Sequence, residues 1–486
     1  MAVLRNLLLA AGAASAAVAS SSDNLKSCLE YALTDSGSVA FAGDLLYQAA
    51  DMQGYNLNIP LTPAAVTFPT SSQQVAAVVK CAADNGYHVQ AKSGGHSYGN
   101  YGLGGTDGAV IVDLKHLTQF SMDNTNWEAT IGAGTLLGDV TQRLHDAGGR
   151  AMSHGTCPQV GSGGHFTIGG LGPTSRQFGA ALDHILEVEV VLANSSIVRA
   201  NEKENEDIFW AIKGAASGFG IVTEFKVRTE PEPGTAVKYE YTFKIGSTED
   251  RASLFKNWQA YMSNPNLTRK LASTLTLLQD TLIITGTFFG TQEEYDELKI
   301  GSQFPGANGT AIVFEDWLAL VGDWAEEAVL ALGGGVPSNF YAKSSSWTPE
   351  NLMSSDLIDK MFEFVDSADK GTPLWFLLFD FQGGYTSDVP ADATSYAHRD
   401  VLFWLQSYSI NLLGPVSQTQ IDFLDQVNKL VTPTNTPYAA YPGYVDPLMP
   451  NGAEAYWGSN LPRLQEIKAN VDPANVFRNP QSPLPA

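Results

Sequence analysis

Two glycine-rich stretches place the strongest constraint on what this chain can form. The first, Lys92 to Gly99, reads KSGGHSYG, and the second runs from Ser153 to Gly172. Glycines at this density let backbone N–H groups approach a large ligand closely. Successive exposed N–H groups form an anion-binding nest, which suits a pyrophosphate. The two stretches therefore predict a nucleotide cofactor.

A glycine cluster on its own is typical of turns rather than of a cofactor cradle. No G-x-G-x-x-G motif opens a helix after a strand, which argues against a dinucleotide-binding Rossmann fold. Each stretch, however, carries one reactive side chain among its glycines, His96 in the first and Cys157 in the second. That pairing favours the cofactor interpretation.

On these residues the chain resembles the vanillyl-alcohol-oxidase-like flavoproteins, specifically the berberine-bridge-enzyme branch and its fungal oligosaccharide oxidases. The likeness covers nearly the whole mature chain. The stretches that carry it are Gly94-Gly95-His96-Ser97, Gly155-Thr156-Cys157-Pro158, Gly163-Gly164-His165, Tyr441-Pro442-Gly443-Tyr444-Val445-Asp446 and Asp472-Pro473-Ala474-Asn475-Val476-Phe477.

The resemblance implies an FAD attached covalently at two points. His96 would bond the 8α-methyl carbon of the flavin and Cys157 would bond carbon 6. An imidazole nitrogen and a thiolate are suitable nucleophiles for such bonds. The cofactor-binding residues expected from the resemblance are His96, Cys157, Ser93, Gly94, Gly95, Ser97, Tyr98, Gly161, Gly164, His165, Gly169, Gly170, Gly179 and Val222.

The resemblance also supplies a catalytic pair, Tyr444 and Asp380. Tyr444 is the second tyrosine of the family's Tyr-x-Asn-Tyr-x-Asp stretch, although Gly443 stands here in place of the asparagine. A phenol has a pKa near 10 and needs a neighbour before it can act as a base near neutrality. Asp380 occupies the place of the family's partner carboxylate, and an acid inside an apolar strand is costly unless it is hydrogen-bonded.

Tyr98, Thr156 and Trp375 are the candidate substrate-binding residues. The aromatic side chains could stack on sugar rings, and either could equally belong to the core. The gluco-oligosaccharide enzymes carry a glutamine near the catalytic carboxylate, whereas Leu378 stands at that place here. The identity of the substrate is therefore open at this stage.

Two other chemistries compete for the same residues. His96, His154, His165 and Cys157 could ligate zinc, but no pair has a compact C-x₂₋₄-C or H-x₃₋₅-H spacing, so we expect no metal. A Cys–His nucleophile of the thiol-protease kind is the second competitor. Cys157 precedes Pro158 in a glycine loop and not a helix N-terminus that would lower its pKa.

The excess of acidic residues limits the kinds of partner that this chain can bind. The chain has 486 residues, 51 acidic and 28 basic, for a net charge of −23. Such an acidic protein repels nucleic acid and anionic membranes, so we expect neither as a partner. We expect a monomer that binds a small oligosaccharide and an electron acceptor such as O2.

The N-terminus predicts secretion. Arg5, a short apolar run and Ala17-Val18-Ala19 are typical of a signal peptide over residues 1–19. In a secreted chain the sequons at Asn194, Asn266 and Asn308 become candidate glycan sites. Three cysteines suggest one disulfide and one thiol with another role. With Cys157 assigned to the flavin by resemblance, Cys28 and Cys81 are the natural pair, although other pairings stay open.

The element pattern predicts an α+β fold. Strands alternate with helices up to residue 232, with a helix opening at Ser71 and a strand leading into the His96 loop. From 236 an antiparallel sheet backed by helices is expected, including a hairpin of 271–278 with 282–288 and a strand at 375–381.

By resemblance this is a two-lobed PCMH-type FAD-binding fold. Residues 60–232 would form the FAD-binding domain, within an N-terminal lobe that begins at 24. Residues 236–435 would form the substrate-binding domain, and residues 440–486 would return to the first lobe.

The function expected from the resemblance is oxidation of a reducing sugar. Tyr444 would take the proton of the anomeric hydroxyl while hydride passes to the flavin, and the product would be a lactone. The protein would position the sugar, and the cofactor would supply the redox chemistry. Two alternatives remain. The same flavin could oxidise a secondary metabolite alcohol, or the chain could be a secreted binding protein without turnover.

Overall fold

A computed structural model describes residues 23–34, 38–44, 47, 52–244, 246–279, 281–306, 308–332, 335–433 and 438–486. The predicted signal peptide, 1–19, lies outside the described residues. The fold is α+β, as the sequence predicted, with two lobes built on separate sheets.

The strands of the first lobe form three sheets. One has four strands in the order β1-β2-β4-β3, one has five in the order β5-β6-β10-β8-β9, and β7 pairs with β11. The strands are β1 Ser38–Phe41, β2 Ala65–Phe68, β3 Val89–Lys92, β4 Val110–Asp113, β5 Phe120–Asp123, β6 Glu128–Gly132, β7 Arg150–Ala151, β8 Ile185–Val191, β9 Ile197–Asn201, β10 Ile221–Arg228 and β11 Glu230–Pro231.

The helices of the first lobe are mostly short. They are α1 over 23–32, α2 Ser72–Asp84, α3 Leu137–Asp146, α4 Ser162–His165, α5 Ser175–Phe178 and α6 Glu206–Ala215. Helix α2 begins after Ser71, whose Oγ accepts a hydrogen bond from the N–H of Gln74 at 3.3 Å. A disulfide joins Cys28 to Cys81, the predicted pair. It fastens α1 to α2.

The second lobe is one antiparallel sheet of seven strands in the order β15-β12-β14-β13-β17-β18-β16. The strands are β12 Ala236–Phe243, β13 Leu271–Leu277, β14 Leu282–Phe288, β15 Asn308–Phe314, β16 Asn339–Trp347, β17 Trp375–Phe381 and β18 Phe403–Asn411. The helices of this part of the chain are α7 Thr248–Met262, α8 Gln292–Leu298, α9 Ile300–Gln303, α10 Trp317–Leu332, α11 Ser355–Ser367, α12 Tyr385–Asp388 and α13 Gln418–Val431.

Side chains alternate across this sheet because successive residues of a strand point to opposite faces. On β13, Leu271, Leu275 and Leu277 are buried in the lobe's core, which also holds Trp258 of α7 and Phe362 of α11. Ala272, Thr274 and Thr276, which alternate with the core-facing residues, face the other way. The second face of the sheet is therefore left free to form a wall of a cavity.

The C-terminal residues pack back on the first lobe through α14 Gly452–Trp457 and α15 Leu461–Val471. The N–H of Val89 donates to the carbonyl of Val476 at 2.9 Å. Lys468 and Asp472 form a fully buried ion pair, and the ammonium also donates to the carbonyls of Gly218 and Phe477. These contacts fix the C-terminal residues to the first lobe.

Buried arginines join the two lobes. Arg399, before β18, makes two parallel hydrogen bonds to the carboxylate of Asp183 at 2.8 and 2.9 Å. Such a bidentate pair is strong and directional. Arg176 of α5 donates through Nε to the carbonyl of Leu271 on β13 at 2.9 Å. These contacts fix the sheet of the second lobe against the first.

Among the residues listed above, no helix is both long and apolar enough to cross a membrane. The three sequon asparagines are exposed. Asn194 and Asn266 lie in turns, as expected for surface loops, whereas Asn308 begins the edge strand β15.

Candidate active site

A cavity of about 530 Å³ lies between the glycine-rich stretches of the first lobe and the free face of the seven-stranded sheet. The C-terminal segment around Tyr444 contributes to its wall. This volume falls within the range of small-molecule and cofactor sites. Both lobes and the C-terminal segment must therefore be in place for the site to exist.

The two glycine stretches touch each other through their main chains. A Cβ atom on Gly94 would lie 2.3 Å from the backbone nitrogen of Gly161, and one on Gly161 would lie 2.1 Å from the nitrogen of Gly94. Ser93 strengthens the contact by donating from Oγ to the carbonyl of Ala133 at 2.7 Å. Only glycine permits this approach, which brings His96 and Cys157 to one cavity.

His96 is largely buried beside Tyr55, whose ring centroid lies 4.6 Å from that of the imidazole. Burial lowers the pKa of His96 to about 4. The ring is therefore neutral at physiological pH and keeps one nitrogen lone pair. A neutral imidazole is the form that can act as a nucleophile or as a hydrogen-bond acceptor.

Cys157 is half-buried and takes no part in a disulfide. Its Sγ donates to Oε1 of Gln159 at 3.3 Å. Burial raises the pKa of this thiol, against smaller opposing effects of hydrogen bonds at Gln159 and Val160. A thiol protease needs a thiol with a lowered pKa, so the environment of Cys157 argues against that alternative.

Buried histidines hold the loop that carries Cys157. The N–H of Gly155 donates to Nε2 of His165 at 2.8 Å, and the N–H of Ser153 donates to Nε2 of His184 at 3.3 Å. Burial lowers the pKa of His165 to about 3 and that of His184 to about 4. Both rings are thus neutral acceptors. No group of three or more potential ligands that could hold a metal ion occurs within the described ranges.

Asp380 and Tyr444 form a hydrogen-bonded pair in the cavity wall. The hydroxyl of Tyr444 donates to Oδ2 of Asp380 at 3.2 Å, and Thr274 donates to Oδ1 at 2.9 Å. Burial raises the pKa of Asp380 to about 6, while the two hydrogen bonds oppose the rise. Burial and the charge of Asp380 raise the pKa of Tyr444 well above its usual value. Near neutrality the pair is a carboxylate and a neutral phenol.

Aromatic rings line the cavity between this pair and His96. The ring of Tyr98 stacks on Tyr444 at 6.1 Å and on Tyr55 at 6.1 Å, measured between centroids. Its hydroxyl accepts a hydrogen bond from Nε2 of Gln406 at 2.6 Å. Tyr98 is therefore held by its neighbours at the centre of the site.

The cavity brings together most of the residues predicted from the sequence. Both catalytic candidates, Tyr444 and Asp380, line it, as does the substrate candidate Thr156. The predicted cofactor-binding residues that line it are Ser93, Gly94, Gly95, His96, Ser97, Tyr98, Cys157, Gly161, Gly164, His165 and Val222.

The prediction that Trp375 contacts the substrate is wrong. Trp375 points to the opposite face of β17 and packs against Phe423 of α13 in the core of the lobe, with ring centroids 5.4 Å apart. Its neighbour Phe376 lines the cavity instead. A shift of one residue along a strand moves a side chain to the other face.

Gly169, Gly170 and Gly179 are not among the cavity-lining residues, so their direct contact with the cofactor stays a prediction. All three have positive φ, 126°, 77° and 93°, a region that glycine adopts without strain. The N–H of Gly170 donates to the hydroxyl of Tyr441 at 3.0 Å. These glycines shape the turn behind the wall and join it to the C-terminal segment.

The sequence did not reveal several lining residues. They include Tyr55, the threonine row Thr274, Thr276, Thr285 and Thr287, and the glutamines Gln382 and Gln406. The one available signal was the alternation of β13 and β14, which places these threonines opposite the core leucines. Tyr55 and Gln406 lie far from the glycine stretches in sequence, and no local pattern connects them.

These residues fit FAD. The glycine stretches approach each other closely and two potential nucleophiles share the cavity. Gln382 also lines it, and its Oε1 has no hydrogen-bond partner among the described residues. The "FAD binding domain" family model matches residues 63–201, and the "Berberine and berberine like" model matches residues 440–483. The chain is 40% identical over 457 residues to the FAD-linked oxidoreductase sorD of Penicillium rubens, covering 92% of this chain and 95% of that one. The chain belongs to the berberine-like family of FAD-linked oxidoreductases.

Sugar oxidases are among the relatives of this berberine-like chain. The glucooligosaccharide oxidase of Sarocladium strictum is 34% identical over 448 residues, covering 88% of this chain and 89% of that protein. A solved structure of the glucooligosaccharide oxidase from Acremonium strictum, described as having a 6-S-cysteinyl, 8α-N1-histidyl FAD, superposes with a TM-score of 0.87 at 32% identity, covering 95% and 99% of the two chains. The PCMH-type fold expected from the resemblance is confirmed.

Replacing Gly161 with alanine tests the contact between the glycine stretches. The new Cβ would lie 2.1 Å from Gly94 N and from Ser93 Oγ, so the loops must separate. Overpacking typically costs about 1–3 kcal/mol. We expect a lower thermal midpoint and a lower ratio of flavin to protein absorbance. Gly234→Ala is the control, since no atom lies within 4 Å of its added Cβ; equal flavin content in both variants would contradict the assignment.

Proposed function

We propose that this chain is a secreted FAD-dependent enzyme that oxidises the anomeric carbon of reducing oligosaccharides to the lactone, with O2 or another electron acceptor. The observation that carries the proposal is the hydrogen bond from Tyr444 to Asp380 in a cavity that also contains His96 and Cys157. A proton acceptor thus lies in the same cavity as two groups suited to fixing a flavin.

His96 and Cys157 are the proposed covalent attachment points for FAD. The neutral imidazole of His96 is ready to attack an electrophilic carbon. Cys157 must first lose its proton, because its thiol pKa is raised by burial. Support also comes from the histidine- and cysteine-linked FAD described for the glucooligosaccharide oxidase.

The proton path follows from the two pKa values. Tyr444 is a neutral phenol, so it can take the proton of the anomeric hydroxyl only if it releases its own proton to Asp380. Asp380 is ionised at neutral pH and can receive that proton. The anomeric O–H and C–H bonds break and the lactone C=O bond forms. Bound FAD supplies the two-electron acceptor for this oxidation.

The threonine side chains that line the cavity are evidence for a hydroxyl-rich substrate. Thr274, Thr276, Thr285 and Thr287 form a row of hydroxyl groups on β13 and β14. Tyr98, with its stacked neighbours, offers an aromatic face for a sugar ring, and Thr156 lies beside Cys157. The glucooligosaccharide oxidase relative acts as a precedent for such a substrate.

A second candidate substrate is an alcohol of a secondary metabolite. Leu378 and Phe376 make the wall beside Asp380 apolar on one side, and Leu378 stands where the gluco-oligosaccharide enzymes carry a glutamine. The relative with 40% identity is named only as an FAD-linked oxidoreductase. A mixed wall of this kind accommodates a less polar substrate as well.

Secretion, glycosylation and a monomeric state complete the proposal. The Cys28–Cys81 disulfide is typical of an oxidising compartment. Asn194, Asn266 and Asn308 are exposed and therefore open to glycan transfer. With a net charge of −23 the molecules repel one another, which favours monomers.

The decisive experiment is an anaerobic visible spectrum of the purified enzyme before and after addition of cello-, xylo- or chito-oligosaccharides. We expect a flavin that stays with the denatured chain and that one sugar series bleaches. Peptide mass analysis of His96→Ala and Cys157→Ala should then find the flavin on the remaining residue. Bleaching by no sugar would move the assignment to the metabolite alcohol, and the absence of bound flavin would overturn the proposal.

Tyr444→Phe isolates the proton-transfer step. The ring and its stacking on Tyr98 are retained, while the hydroxyl that bonds Asp380 is lost. General-base catalysis contributes roughly 10²- to 10⁴-fold, so we expect kcat to fall by that factor with the flavin still bound. Tyr261→Phe is the control, since its hydroxyl bonds Leu298 in the second lobe. Turnover near wild type in Tyr444→Phe would refute the role.

The pH dependence of kcat/KM should report the ionisation of the Asp380 carboxyl group. Its pKa is raised to about 6, and only the ionised form can accept a proton. The rate should therefore be constant above this pH and fall below it, about tenfold per pH unit. Asp380→Asn should be slow at every pH and lack this step. A wild-type rate that does not change between pH 5 and 8 would exclude Asp380 as the proton acceptor.

A further inference from the structure

The carboxamide of Gln382 is a buried polar group whose partner is missing within the described part of the chain. The side chain lines the cavity, the residue is only 8% exposed, and Oε1 has no hydrogen-bond partner. Other buried atoms without a partner, such as Oε1 of Gln177 and Nε1 of Trp347, belong to residues outside the cavity lining. A buried amide oxygen without a partner destabilises the folded protein, because it has lost the hydrogen bond that water would give it. A ligand that paired with Gln382 would remove that cost.

The main chain of Gln382 is held firmly. Its N–H donates to the carbonyl of Leu402 at 2.7 Å, and its carbonyl accepts from the guanidinium of Arg176. The same guanidinium lies 3.7 Å from the centroid of the Phe381 ring. The carboxamide therefore projects into the cavity lining from a fixed backbone.

The position of Gln382 along the sheet is defined by the pairing of β17 with β18. Leu378 lies opposite Gln406, whose amide bonds Tyr98, the second residue after His96. Asp380 follows Leu378 on the cavity side of β17, and Gln382 comes next. Two strand residues span about 7 Å. Along β17, Leu378 is thus the residue linked to Tyr98, Asp380 follows with its partner Tyr444, and Gln382 is the residue furthest along from Tyr98.

We propose that Gln382 recognises the imide edge of the flavin ring. This proposal rests on the attachment of FAD at His96 and Cys157 proposed above. A ring held by its benzenoid edge at His96 and Cys157 would present its opposite edge to the part of the cavity beyond Asp380. That edge presents an N–H between two carbonyl oxygens. A carboxamide complements it with one acceptor and one donor, so Oε1 accepts from the imide N–H and Nε2 donates to a carbonyl.

The test compares Gln382→Leu and Gln382→Glu with wild type, each isolated with its covalent flavin. Leucine removes both hydrogen bonds, and glutamate keeps an acceptor but adds a negative charge next to the ring. Two measurements are made without sugar, namely the flavin visible spectrum and the ratio of reduced to oxidised flavin in equilibrium with a redox dye. We expect a shifted visible band and a lower ratio, by roughly threefold to tenfold for one lost hydrogen bond and by more for glutamate.

Gln177→Leu is the matched control, because its Oε1 is also unpartnered while its side chain does not line the cavity. Its spectrum and dye equilibrium should equal those of wild type. If the Gln382 variants change only KM for the sugar, the carboxamide binds substrate and the proposal is overturned. Unchanged spectra, dye equilibrium and KM would overturn it as well. A wild-type protein without covalent flavin would instead contradict the proposed function.

Discussion

The main-chain contact between Gly94 and Gly161 is the constraint on which the site depends. The two stretches come from different parts of the first lobe, and each would be held away from the other by a single methyl group. Their approach places His96 and Cys157 on one cavity and leaves backbone N–H groups along its wall. Two neutral histidines also hold the loop that carries Cys157. His165 accepts a hydrogen bond from the N–H of Gly155, and His184 accepts one from the N–H of Ser153.

The second constraint is the pleat of β17. Trp375, Leu377 and Phe379 enter the core between the sheet and its helices, so the residues between them must face the first lobe. Asp380 is therefore placed in the cavity by the same alternation that buries its neighbours. Its carboxylate is tolerated there because Thr274, directly opposite on β13, and Tyr444 both donate to it. In this strand the alternation that packs the core also positions the proposed catalytic carboxylate.

The sequence predicted what local patterns encode. The helix after Ser71, the hairpin of β13 and β14, the Cys28–Cys81 pair and the strand around Asp380 are all present. It did not predict β16 and β18, whose buried faces carry serines and glutamines instead of a regular apolar alternation. Those polar groups are satisfied by other segments; the amide of Asn428, for example, donates to Ser407 at 2.7 Å.

The missed parts of the site have the same origin. Trp375 and Phe376 cannot be told apart by composition, because the free face of a strand depends on which face the helices cover. Gln382 and Gln406 carry no motif, and their significance comes from a register between β17 and β18 that only the folded sheet defines. By contrast, His96 and Cys157 can be recognised from the sequence alone, because the glycines around each of them are contiguous in sequence.

Burial shifts the pKa values of His96, Asp380 and Cys157 in different directions, and each shift suits a different role. It lowers the pKa of His96 to about 4 and so keeps an unprotonated nitrogen. It raises the pKa of Asp380 only to about 6, because two hydrogen bonds stabilise the carboxylate, and the group remains charged at neutral pH. It raises the pKa of Cys157 and keeps a thiol. In the proposed double attachment, the nitrogen of His96 would be available without prior deprotonation, whereas Cys157 would first have to lose its proton.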